Sequence, residues 1–272
     1  MVKCTTATAA IRGLLQTEYA FSRRAHDSVK AAFLEYLAED SLVLQPLPVP
    51  GREFYATANE STDKLEWYPA VVDLAGSGDL GFTTGPWTYT TGAGGQIHGH
   101  FLTIWKHDAR CRWQVQFDGG VSHGAPANAE PKLEPDQISY RERSAPPQKL
   151  IADDGLSQAI SDFQGTSGKD GFAAALRTYA RTADFCFYTD GQAPLGLAAS
   201  NHYLSDHIGL GEWNDDARGR SADSSLAYSV GVLSDAKRHN SYAYVQIWQY
   251  SPKAANWGLR ILLFNPVAAV SK

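Results

Sequence analysis

SGDLGFTTGPWTYTTGAGGQIHGHFLTIWKHDARCRWQVQFDGG, residues Ser77–Gly120, is the stretch whose reading decides the fold. It separates into three antiparallel strands around Leu80-Gly81-Phe82, Phe101–Trp105 and Trp113–Phe117. A weaker copy, SSLAYSVGVLSDAKRHNSYAYVQIWQYSPKAANWGLRILLFNP, occupies Ser224–Pro266. In that copy Leu226-Ala227-Tyr228 answers the first strand, Tyr244–Trp248 the second and Trp257–Ile261 the third. Trp105 and Trp113 recur as Trp248 and Trp257, so two copies of one supersecondary unit are expected.

The preceding residues extend the repeat. Thr6–Ala38 reads as two helices: Ile11, Leu14, Leu15 and Tyr19 make an apolar stripe with Arg12, Gln16 and Glu18 off it. Asp27 or Ser28 is placed to cap the second helix, whose apolar face is Val29, Ala32, Phe33, Tyr36 and Leu37. A short strand at Ser41–Gln45 ends in Pro46, Pro48 and Pro50-Gly51, and a short helix is expected from Gly51 to Ser61. Glu66–Leu74 is a further strand candidate. In the second half, helices are expected over Leu150–Phe163 and Gly171–Ala180, and Glu66-Trp67 recurs as Glu212-Trp213. From there to Gly85 and Gly231 the halves align without a gap.

Between the halves, Gly124–Gln148 holds five prolines and few large apolar residues, which reads as an extended, solvated linker. The expected organisation is thus unit one over residues 1–123, a linker over 124–148 and unit two over 149–272.

Composition narrows the function classes. At 272 residues with 43% hydrophobic content, each half can bury a core. A net charge of -5 gives no counterion-release drive toward nucleic acid or an anionic membrane, so neither partner is expected. Three widely spaced cysteines, Cys4, Cys111 and Cys186, read as separate thiols. No apolar run reaches the roughly 18 residues a membrane helix needs. The start, MVKCTTATAAIRGLL, lacks the apolar centre of a signal peptide. Cytoplasm is the default expectation, with a periplasmic or secreted place open if a leader has been removed.

Helix–helix–strand–turn–strands, twice over, is an α+β arrangement. Phe33–Asp40, Gly51-Arg52-Glu53, Gly78–Gly85 and Trp113–Asp118 together resemble the nuclear transport factor 2-like superfamily, its SnoaL-like branch in particular. Unit two departs from the pattern: Asp79 becomes Ser225, Asp118 becomes Leu262, and Gly51-Arg52-Glu53 has no clear counterpart. The resemblance implies two tandem cone-shaped barrels, each a curved antiparallel sheet packed with N-terminal helices around an apolar pocket. The superfamily spans isomerases, cyclases, dehydratases and non-catalytic proteins, so fold alone implies no reaction. Members commonly pair through the outer sheet face. Unit one packing on unit two is therefore expected, as a monomer or a homodimer.

Any chemistry is expected in unit one, because His100, Asp118 and Asp40 align with Ala243, Leu262 and Thr182. His100 and Asp118 are the proton-transfer candidates, since an imidazole titrates near neutrality and a carboxylate can fix its tautomer. The competing reading makes His100 an ordinary strand residue and Asp118 a cap on Gly119-Gly120. Tyr36 could donate a hydrogen bond into a pocket, as tyrosines do in isomerases the chain resembles, or be plain core. Asp40 is a weaker base candidate or a helix-end cap. Trp67, Tyr68, Trp87 and Tyr89 are candidate ligand contacts at the mouth. Trp67, matched by Trp213, also reads as packing. His98 and His123 are expected at exposed strand ends. His98-Gly99-His100 lacks a third ligand, so no metal and no cofactor is expected. No Gly-x-Ser-x-Gly nucleophile motif occurs, and Gly92–Gly95 lies in a hairpin loop with no helix after it to hold a phosphate. The expectation is a small apolar ligand in unit one, with cofactor-free isomerase, dehydratase or cyclase chemistry. The alternative is a non-catalytic interaction module.

Overall fold

A computed structural model describes residues 6–138, 155–180, 184–209, 211–235 and 240–267. The chain divides into two compact units, Met1–Gln45 with Val49–Arg143, and Pro46–Pro48 with Ser144–Lys272.

Unit one opens with helix α1 (Ala7–Asp27), whose N-cap Thr6 accepts from the Ala9 N–H through its side chain. Its buried side is Ala10, Ile11, Leu14, Leu15, Glu18, Phe21 and Ala25, a run at three- and four-residue spacing. Polar Ser22–Asp27 does not interrupt it. Ser28 ends α1 and caps α2 (Val29–Tyr36), accepting from the Ala31 N–H at 3.2 Å. Then follow β1 (Leu37–Leu44), β2 (Pro48–Pro50), α3 (Gly51–Thr57), β3 (Lys64–Trp67), β4 (Val71–Leu74), β5 (Leu80–Thr90), β6 (Gln96–His107) and β7 (Trp113–His123).

The sheet order is β2-β1-β7-β6-β5-β3, with β4 also on β5. All its long pairings are antiparallel, but β1 joins β7 in parallel. The expected barrel is a curved, unclosed sheet. Its edge strands are short: β2 is three residues with a proline at each end, and β3 is four residues. Phe21, Phe33, Trp67, Phe101, Trp105 and Val115 form the core between helices and sheet.

Unit two repeats the order: α4 (Leu156–Asp170), α5 (Phe172–Tyr179), β8 (Cys186–Thr189), α6 (Leu197–His207), β9 (Glu212–Arg220), β10 (Leu226–Asp235), β11 (Asn240–Ser251) and β12 (Asn256–Val267). Its sheet runs β8-β12-β11-β10-β9, again with the first strand parallel to the last. The registers coincide. Trp67 opposes Trp87 as Trp213 opposes Leu233, and Gly81 opposes Trp105 as Ala227 opposes Trp248. Both sheets shift register at the same place, between Ile104 and Trp105 and between Ile247 and Trp248.

The aligned glycines have one cause. A Cβ on Gly85 would lie 2.2 Å from the Tyr68 carbonyl oxygen, and one on Gly231 2.1 Å from that of Asn214. Each lets a kinked neighbouring strand cross close by.

Two expectations change. The described part of the linker, through Ile138, is mostly exposed but is tied to unit one. The Leu133 N–H donates to the Pro69 carbonyl at 3.1 Å, the Tyr19 hydroxyl donates to the Leu133 carbonyl at 2.8 Å, and Ile138 packs on the unit-one core. The rest of the proposed linker lies outside the described residues. Cys111 is disulfide-bonded, its partner outside the described residues, while Cys186 forms no disulfide, so the three cysteines are not three thiols. Spacing in sequence carries no information on which distant cysteines come within bonding distance.

Candidate functional site

Register decides which side chains of unit one share a face. Thr83 opposes Thr103, and Thr103 opposes Asp118, one rung across three strands. The rung faces α1, because the Thr83 hydroxyl donates to the Glu18 carboxylate. Within it the Thr103 hydroxyl donates to Asp118 Oδ2 at 2.6 Å. His100 lies three residues before Thr103 and so projects from the other face. The expected His100–Asp118 pair is therefore not assembled.

Glu18 is the residue that sequence reasoning missed. It is fully buried, and its carboxylate accepts from Trp67 Nε1 at 2.5 Å, from Trp105 Nε1 at 2.9 Å and from the Thr83 hydroxyl. Burial pushes its pKa up, and the three donors pull it back. The signal was present: Glu18 continues the spacing of Ile11, Leu14 and Leu15 toward Phe21, and a carboxyl on a core stripe needs partners.

Asp118 carries the second inward carboxyl. The residue keeps a partly exposed surface, but desolvation of its carboxyl pushes the pKa up to about 7. The Thr103 hydrogen bond opposes that rise and the Glu18 charge adds to it. Tyr55, stacked on Phe33 at 4.1 Å between centroids, has its phenol pushed up by burial and by the charge of Asp118. Two carboxyls and a neutral phenol thus occupy the helix-facing side, the arrangement that separates an acid from a base near neutral pH.

His100, 2% exposed, belongs to a different cluster. Its Nδ1 meets His123 Nε2 at 2.7 Å and its Nε2 meets Glu130 Oε1 at 2.5 Å, while His123 Nδ1 meets the Gly124 carbonyl at 2.7 Å. The carbonyl can only accept, so His123 donates to it from Nδ1. Burial holds the imidazolium of His100 down, against the opposing pull of the Glu130 carboxylate. His123, expected at an exposed strand end, is instead part of this chain, which ties the segment after β7 to the sheet.

The remaining candidates are dispersed. Tyr36 packs on Phe21 at 5.0 Å and lines an open cavity of about 610 Å³ with Trp113 and His107. Asp40 is exposed within β1 rather than at a helix end. Trp67 is core, its indole committed to Glu18. Trp87 lies across Gly99 and Gly120, where added Cβ atoms would fall 2.4 Å and 3.2 Å from its ring. The Tyr89 hydroxyl donates to Asp63 at the far end of β5. A second open cavity, about 750 Å³, runs past Tyr68, His98 and Lys132. No group of three His, Cys, Asp or Glu side chains among the described residues could hold a metal ion. No helix among them is long and apolar enough to cross a membrane.

The solved structures this chain is similar to include nuclear transport factor 2-like proteins, and at these identities the likeness is one of fold alone. One is a nuclear transport factor 2-like superfamily protein from Salmonella enterica, 11% identical, covering 44% of this chain and 94% of that one with a TM-score of 0.37. Another, from Shewanella oneidensis, is 14% identical over 40% of this chain and 95% of its own, TM-score 0.34. A ketosteroid isomerase-like protein from Erwinia carotovora is 17% identical over 43% and 96%, TM-score 0.32. No family model matches the chain, and no curated protein does.

Proposed function

We propose that unit one binds a small, mostly apolar molecule on the helix-facing side of its sheet and that Asp118 moves a proton on it without a cofactor. Isomerisation, dehydration and cyclisation are the reactions this chemistry covers. The observation that carries the reading is a desolvated Asp118 carboxyl poised at about 7, so that both its forms are populated near neutral pH. Support comes from its surroundings. Tyr55 offers an un-ionised phenol as a donor, and Phe101 and Trp87 offer apolar surface on the same face. Glu18 is a positioning residue: it fixes Trp105 and Thr83, and its charge helps keep Asp118 basic. His100 has no part in this step.

The test uses nitrobenzisoxazole, whose ring opens on removal of a single C–H proton. The whole chain is expected to accelerate opening above buffer, with a rate that rises as pH passes about 7. Asp118→Asn is expected to lose that acceleration while keeping its circular dichroism. An unaccelerated parent protein, or an equal rate in Asp118→Asn, returns unit one to a non-catalytic role.

A further inference from the structure

The cavity of about 750 Å³ in unit one lies outside the site just described. Its wall includes Pro86, Thr88 and His98, which alternate with Thr83 and so sit on the opposite face of β5 and β6 from Asp118. The end of α1 contributes Arg23 and His26, β3 contributes Glu66 and Trp67, and the segment after β7 contributes Lys132.

The charge there runs against that of the chain. The protein carries -5 overall, yet this groove sets Arg23 and Lys132 against the single carboxylate of Glu66, with the imidazoles of His26 and His98 beside them. Glu66 is spoken for in part, 4.0 Å from His26 Nε2. Arg23 is exposed and makes no ion pair among the described residues, whereas its neighbour Arg24 pairs with Glu35 at 3.3 Å. Lys132 likewise sits on no carboxylate there; its Nζ lies 4.7 Å from the centroid of the Tyr68 ring. His98 meets the Thr88 hydroxyl through Nδ1 at 3.1 Å, which leaves Nε2 for another partner.

The groove is also built before any ligand arrives. The Tyr68 hydroxyl donates to the Glu130 carbonyl at 3.1 Å, the Glu130 side chain is held by His100, and Leu133 is bonded to Pro69. Lys132 therefore stands on a segment fastened on both sides of it, and little ordering remains to oppose binding. The volume falls within the roughly 300–1,000 Å³ of small-molecule sites.

We propose that this groove is a binding site for a small organic anion, a carboxylate or phosphate ester attached to a planar ring. Arg23 and Lys132 face the anion, His98 Nε2 adds a directional hydrogen bond, and the ring lies against Tyr68. A lone cation pair would take any anion; the aromatic floor is what selects for a ring.

The experiment is calorimetric titration of the whole chain at low salt with phenyl phosphate, benzoate and inorganic phosphate. Saturable binding of phenyl phosphate or benzoate is expected, weakening as salt is added. Arg23→Ala/Lys132→Ala is expected to weaken it at least about tenfold, and Lys253→Ala in unit two to leave it unchanged. Both residues of the double variant are exposed, so its fold is expected to be intact, with circular dichroism as the check. Tighter phenyl phosphate identifies a phosphate ester as the natural chemistry, and tighter benzoate a carboxylate. The proposal is overturned if neither aromatic anion binds, if the double variant binds as well as the parent, or if inorganic phosphate binds as tightly as phenyl phosphate.

Discussion

At one node the two units solve the same problem in different ways. In unit one the indole N–H of Trp105 and the hydroxyl of Thr83 point at a carboxylate, Glu18, delivered by a helix. In unit two Trp248 and Ser229 hold the matching positions, and both point at the amide oxygen of Gln246 in their own sheet, each at 3.0 Å. Phe21 and Phe163 meet these tryptophans edge-on at 5.9 Å and 5.7 Å, so the helices correspond. One turn before each phenylalanine stands Glu18 in one unit and Ile160 in the other, both fully buried. Likewise Thr103 opposes Asp118 where Gln246 opposes Leu262. The fold needs an acceptor at this node but not a charge. Two inward carboxyls are costly to desolvate, and a neutral amide does the structural part alone. Their presence in unit one is thus a feature the scaffold does not require.

The largest effect that can break this comparison is at Glu18. Glu18→Ala strands three buried donors and is expected to destabilise unit one by about 3–5 kcal/mol in urea unfolding. Glu18→Gln keeps one acceptor and is expected to lose about half of that. Equal losses would mean the charge itself, not acceptance, holds the node.

Asp118→Leu, which installs the residue of unit two, sharpens the electrostatic side. The Asp118 pKa is raised from 3.8 to about 7 on folding, so the folded state holds the proton across that window. Its stabilising contribution is full below about pH 4 and disappears as pH rises through about 7, a swing of about 2 kcal/mol after allowance for partial exposure. The variant is expected to lose this slope and to be the more stable protein at pH 8. A parent whose stability does not fall over that range would refute the desolvated carboxyl.

In unit two, Gln246→Leu removes the acceptor for both Ser229 and Trp248 and is expected to cost about 1–3 kcal/mol. The smallest stability effect is expected from His100→Ala, again the unit-two residue. It frees Glu130 and should cost about 1 kcal/mol globally while speeding proteolytic cleavage within residues 124–138 several-fold. Unchanged cleavage would show that Tyr19, Tyr68 and Pro69 hold the segment unaided.

Much of the architecture was legible. The paired tryptophans, the prolines at 46, 48 and 50 and the serine at 28 act locally, and each placed an element close to where it lies. The site was less so. Both faces of β6 carry apolar residues, so alternation could not say whether His100 or Thr103 looked toward the helices. Tyr19 competes with Glu18 for the α1 stripe in the sequence, and only its hydroxyl bond to the Leu133 carbonyl places it off the core. Glu130 sits in a stretch whose composition marks it as solvated, so no local pattern points to it.

By itself the sequence determined the helices and curved sheets of an α+β chain and pointed to two units, because strand period, turn residues and caps are short-range properties. The tertiary structure alone decided which side chains meet. A register shift beside Trp105 and a helix laid over the sheet bring Glu18, Thr83 and Asp118 together from distant parts of the chain and send His100 to the other face. Contacts between residues far apart in sequence depend on how whole elements dock, and no local pattern records that.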